Sequence, residues 1–221
     1  MIRDSGRRTV FLTFLFIVAL YVAWIGAWLL ELTLRNQLGW LQTLAGQTLY
    51  WTLAKAVLWV CPAIMLIRLS GRKITDVLGF GRMRAIMIWG GGIGLLLGIL
   101  ALAQKAIRHA PLFSSAFDSS LLAGVIISPV VEEFTFRGAV LGNLLQRYKF
   151  FTANTLTAIF FLGAHLPGWY FQGRLRHMLL SPLGGALSIF LLGWVFGFAA
   201  YRSKSTAAST LTHILNNLGN A

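Results

Sequence analysis

Acidic side chains are nearly missing from this sequence: six Asp and Glu stand against 19 Lys and Arg, and charge of both signs occupies only 11% of 221 residues. Soluble domains carry charge at about a quarter of their positions, so a chain this poor in charge and 57% hydrophobic falls outside that class. Its mean hydropathy of +0.73 points the same way. Cysteine occurs once, at Cys61 beside Pro62 in an apolar stretch, which excludes an intrachain disulfide and leaves a packing role. A single basic stripe is missing too. Lys and Arg fall in short clusters between apolar runs, so the formal charge of +13 reads as membrane orientation and no nucleic-acid partner is expected. What remains is an all-α polytopic membrane protein, a bundle of seven to eight transmembrane helices in one membrane domain, 1–221, with the lipid bilayer as its surroundings.

The apolar runs are 10–30, 49–67, 85–103, 119–146, 152–170 and 178–201, followed by a shorter, less apolar segment, 205–218. The first three with their loops make up 1–118, and 119–221 carries the polar motifs. The first run is longer than a signal-peptide core and no small-x-small cleavage site follows it, so it reads as an uncleaved span. Gly90, Gly94 and Gly98, and again Gly193 and Gly197, recur at four-residue spacing and predict close helix packing. A small surface helix is expected around 74–80 and would be the eighth crossing only if it crossed. Lys55 stands near enough to a span end to snorkel, and His109 and His177 read as solvated loop residues.

Counting cations by alternate sides orients the bundle. Arg3, Arg7, Arg8, Arg68, Arg72, Lys73, Arg82, Arg84, Arg147, Lys149, Arg202 and Lys204 lie on one side, against Arg35, Lys105, Arg108, Arg174 and Arg176 on the other. The excess places the N-terminus in the cytoplasm.

Within the fourth span, Ser128 to Gly138 places Glu132, Glu133 and Arg137 in apolar surroundings, where a charge costs at least about 2.5–3.5 kcal/mol. Glu133 and Arg137 stand at i,i+4 with the acid first, the favourable orientation for a pair. Glu132 is then left over, a plausible general base or acid. Pro129 invites a kink beside the charged turn. His165 lies in the fifth span just before Pro167, and His213 and Asn217 share one face of the last helix. Their convergence is economical, because polar groups from three helices can then hydrogen-bond and hold a water. Glu132 would take a proton from that water and His165 would orient it. His213 and Asn217 would donate to a developing oxyanion.

These residues form Glu-Glu-x-x-x-Arg, Phe-x-x-x-His (Phe161, His165) and His-x-x-x-Asn, in that order and each on a predicted membrane helix. The set resembles the three motifs of the CAAX-protease and bacteriocin-processing family of glutamic intramembrane proteases, over roughly 129–217. The resemblance implies about eight helices and a glutamate-activated water, with Glu132 and His165 catalytic and His213 with Asn217 at the oxyanion. It also implies a structural role for Glu133 and Arg137. Glu132, His165 and His213 could instead ligate Zn²⁺ with a position open for water. His-Glu-x-x-His is missing, however, and a ligating Glu132 would leave no separate base, so no cofactor is expected.

The expected substrate is a membrane-associated peptide or protein: a lipidated peptide, a bacteriocin-like precursor or a C-terminal sorting tail. The expected location is a prokaryotic inner membrane, with the site nearer the outer half. Two other classes compete, a non-catalytic membrane scaffold or immunity protein and a small transporter with a proton relay. The transporter lacks support from any repeat or matched pair of broken helices.

Overall fold

A computed structural model describes residues 2–112 and 118–221, with side chains from residue 6 onward. Residues 113–117, part of the loop expected at 105–118, lie outside the described residues, as does the side chain of Arg3. Among the described residues the chain is helical and without strands: α1 (Ile2–Arg35), α2 (Leu44–Leu69), α3 (Ile74–Leu78), α4 (residues 83–107), α5 (Ser119–Leu144), α6 (Phe150–Phe171), α7 (Leu175–Leu180), α8 (Ala186–Ser203) and α9 (Thr206–Asn220). Six helices are long and apolar enough to cross a membrane: α1, α2, α4, α5, α6 and α8. The seventh predicted span is α9, whose 15 residues are short for a crossing. The chain is an all-α polytopic membrane protein.

Two expected boundaries move. The sixth span does not begin at 178, because α7 ends at Leu180 and α8 starts at Ala186. Pro182 holds Ser181 in extended backbone (ψ 123°), and Gly184 takes a left-handed φ of +75°, so no helix runs through 181–185. The candidate eighth crossing, α3, has only five residues and does not cross. Nor is it a free surface helix. Val77 is buried, and the Val77 and Leu78 carbonyls accept from Thr206 Oγ1 (3.0 Å) and Ser205 Oγ (2.6 Å), tying α3 to the start of α9. Gly79 after it is left-handed (φ +65°), and a Cβ there would lie 2.7 Å from the Cβ of Ser205, so glycine serves both the turn and the close approach.

The glycine stripe of α4 seats α9. A Cβ on Gly90 would meet the backbone of Ala208, on Gly94 that of Thr212, and on Gly98 that of Leu215; Thr212 Oγ1 also donates to the Gly90 carbonyl at 3.1 Å. This weakly apolar helix is therefore held by close approach and buried hydroxyls more than by bulk, as small-residue membrane interfaces are. Gly94→Val is expected to cost about 1–3 kcal/mol by overpacking. A thermal unfolding midpoint unchanged from wild type would contradict that seating.

Across the bundle Trp24, Trp28, Trp51 and Trp59 of α1 and α2 pack together, with ring centroids 4.2–5.2 Å apart. Helix α5 runs beside them and is irregular where its charges lie. Wide π-helical turns at Ala123–Ile127 and Phe134–Leu141 flank Ser128–Glu133, and Pro129, with no N–H to donate, sits at the join.

Candidate active site

Adjacent on α5, Glu132 and Glu133 face different neighbours. Glu132 points at α2, where Lys55 Nζ donates to its Oε1 at 2.7 Å and to Ser128 Oγ at 2.9 Å. Both side chains are largely buried, Lys55 at 15% and Glu132 at 10% exposure. Glu132 is thus not the unpaired carboxylate that local sequence implies, and Lys55 does not snorkel to a span end. It neutralises Glu132 from within the bundle.

Glu133 points at α9. Its Oε1 accepts from Arg137 Nη1 (3.0 Å) and His213 Nδ1 (2.9 Å), while Arg137 Nη2 donates to the Gly193 carbonyl of α8 at 2.7 Å. Arg137 lies over the Phe161 ring at 4.5 Å, and Phe196 stacks on His213 with centroids 4.4 Å apart. A Cβ on Gly193 would sit 3.1 Å from the Phe161 ring, a tight contact that the ring would have to yield to by a few tenths of an ångström. The expected i,i+4 pair is present, and it joins α5, α8 and α9 in one buried network.

Helix α6 continues through Pro167 to Phe171, so His165 lies inside it. Its Nδ1 donates to the Phe161 carbonyl at 2.8 Å, which assigns the neutral ring's lone pair to Nε2. His165 and Glu132 line one cavity of about 190 Å³ together with Lys55, Trp24, Trp59 and Trp169. That is room for several waters between two proton acceptors, the Glu132 carboxylate and His165 Nε2. The lining extends to Gln172 and Arg174 at the less basic end of the bundle. A second cavity of about 360 Å³, walled by Trp51, Thr48 and Ser128, shares Trp24, Trp28, Lys55 and Gln172 with the first.

The remaining predicted residues are distributed differently. Phe161 is buried between the two imidazoles, 4.8 Å from His165 and 6.2 Å from His213 between centroids. Asn217 is away from the cavity: its Nδ2 donates to the Gly124 carbonyl at 3.0 Å and its Oδ1 accepts from Asn216. The paired His213 and Asn217 expected at an oxyanion do not face one another's site here. Among the described residues no three of His, Cys, Asp and Glu converge as a metal site. His213 Nδ1 bonds Glu133, His165 Nδ1 bonds the Phe161 carbonyl and Glu132 Oε1 accepts from Lys55, which leaves Nε2 of each imidazole and the second Glu132 oxygen as the uncommitted donor atoms of the Glu132, His165 and His213 set.

Sequence reasoning missed Lys55. Its partner lies 77 positions away, but charge balance held the clue: once Glu133 is assigned to Arg137, Lys55 is the one other cation deep in a predicted span.

Residues 114–219 match a family model described as type II CAAX prenyl endopeptidase Rce1-like. No match was found among curated proteins or among solved structures.

Proposed function

Because residues 114–219 match the model of the Rce1-like type II CAAX prenyl endopeptidases, we propose that this integral membrane protein is an endopeptidase that hydrolyses a peptide bond of a membrane-associated substrate with a glutamate-activated water. The observation that carries the reading is the cavity of about 190 Å³ shared by Glu132 and His165.

A water held between the free oxygen of Glu132 and His165 Nε2 gives its proton to Glu132 as its oxygen adds to the scissile carbonyl carbon. The tetrahedral intermediate then collapses, the C–N bond breaks, and Glu132 returns the proton to the leaving amine. General base catalysis of this kind contributes about 10²–10⁴-fold. His213, oriented by Glu133, is the candidate oxyanion donor as an imidazolium, through Nε2–H while Nδ1–H is held by the Glu133 carboxylate, and Asn217 joins it only when its bond to Gly124 exchanges. Lys55 is a positioning residue, holding one carboxylate oxygen so that the other meets the water. The tryptophan-walled second cavity suits an apolar or lipidated segment of substrate, so lipidated peptides, bacteriocin-like precursors and C-terminal sorting tails remain the classes to test.

The test is cleavage of membrane-anchored peptides by purified protein in detergent, with and without chelator. Chelator-resistant cleavage that is lost in Glu132→Gln supports the reading. Cleavage lost on chelation and restored by Zn²⁺ overturns the metal-free route, and no cleavage of any peptide leaves the scaffold reading standing without proving it. Lys55→Met is expected to lower kcat by about 10²-fold, the cost of a displacement of about 1 Å in a reacting group, with KM changed far less. Lys55→Arg should recover part of that loss, and equal kcat in Lys55→Met and wild type would remove Lys55 from the mechanism.

A further inference from the structure

A cavity larger than the one at Glu132 lies elsewhere in the bundle. About 800 Å³ opens at the basic end of the bundle, between the α2–α3 link, the end of α5 and the α8–α9 junction. Its walls include Arg72, Lys73, Arg202 and Lys204, with Asp76 as the only acid in its lining. None of the four cations makes a salt bridge among the described residues.

Arg72 is the informative one. It is largely buried, yet every partner is neutral: Nε donates to Asn143 Oδ1 (3.1 Å) and Ser70 Oγ (3.4 Å), and Nη2 to the Gly138 (2.7 Å) and Ala139 (3.1 Å) carbonyls. Nη1 makes no hydrogen bond among the described residues. Burial pushes the guanidinium down to about 10, the mark of a desolvated cation whose charge nothing nearby offsets. Buried charges ordinarily have a counter-ion, and here the position for one is a cavity with three more cations at its mouth. Lys204 also adopts a left-handed φ of 52°, where glycine would be the easier residue, and so presents a cation at the turn. Arg202 lies over Trp89 at 4.5 Å, which fixes its direction without neutralising it.

We propose that this cavity binds a phosphate-bearing anion between Arg72 and the rim formed by Lys73, Arg202 and Lys204. The rim lies where spans α2, α5 and α8 end, the level of lipid headgroups, so an anionic phospholipid of that leaflet is the source favoured over the free ion. The site is separate from the cavity of Glu132 and does not depend on the proposed chemistry.

Thermal unfolding of the full chain in detergent tests it, with added dioleoylphosphatidylglycerol, dioleoylphosphatidylcholine or inorganic phosphate as probes. Phosphatidylglycerol at about 100 times its Kd should raise Tm by about 5 °C or more, and phosphatidylcholine should not. Arg72 supports the backbone of α5, so the variant to use is Lys73→Gln/Lys204→Gln, at two exposed positions, which should fold normally and lose at least half of the shift. An equal shift from inorganic phosphate supports the anion site and assigns it to the free ion. Equal shifts from both lipids, no shift from any probe, or a full shift in the double variant overturns the proposal.

Discussion

Glutamine at position 132 is expected to lower kcat for peptide cleavage by about 10²- to 10⁴-fold with little change in KM, because it keeps the shape of Glu132 and removes its ability to take a proton. The same substitution leaves Lys55, only 15% exposed, facing a neutral amide, so some stability is lost with the activity. The two effects separate in a double variant. In Lys55→Met/Glu132→Gln no buried charge is left unpaired, and a pair replaced by groups of similar volume is often stability-neutral. Tm should therefore return toward wild type while cleavage stays lost. Recovery of cleavage together with Tm would make Glu132 a structural residue and sink its catalytic assignment.

How far the sequence reveals this arrangement depends on the range of each interaction. The α5 motif is legible because Glu133 and Arg137 are one turn apart, and the α4 glycines because their spacing alone marks a close-packed face. The break at 181–185 was also visible, in Ser181-Pro182-Leu183-Gly184-Gly185, but an apolar run read by length passes over it. The Lys55–Glu132 pair joins two spans with no shared periodicity, and only charge balance hints at it. The division of labour between the two glutamates is hidden more deeply. It depends on how α5 is rotated through its π-helical turns, which no apolar pattern records. His213 and Asn217 do share a helix face, but four residues carry a side chain about 6 Å along the axis and roughly 40° around it. That offset lets one reach Glu133 while the other reaches Gly124.

The second large effect concerns stability, at Arg137. Glu133 and Arg137 both have fully buried side chains, and Arg137 alone joins the carboxylate, the Gly193 carbonyl of α8 and the Phe161 ring. Arg137→Met is expected to destabilise by about 3–5 kcal/mol, because it leaves Glu133 charged and short of its strongest partner. In a chain of this size that is a fall in Tm of about 10 °C. Glu133→Gln/Arg137→Met should cost less than Arg137→Met alone, since the stranded charge, not the missing contact, carries most of the loss. A single variant within about 1 kcal/mol of wild type would show that water or a rearranged His213 already compensates Glu133. Activity then separates scaffold from site. Phe161 rests between Arg137 and both imidazoles, so a double variant that recovers Tm but still cleaves slowly would place the network's function in orienting His165 and His213, with kcat reduced and KM preserved. Full recovery of both would confine it to holding α5, α8 and α9 together.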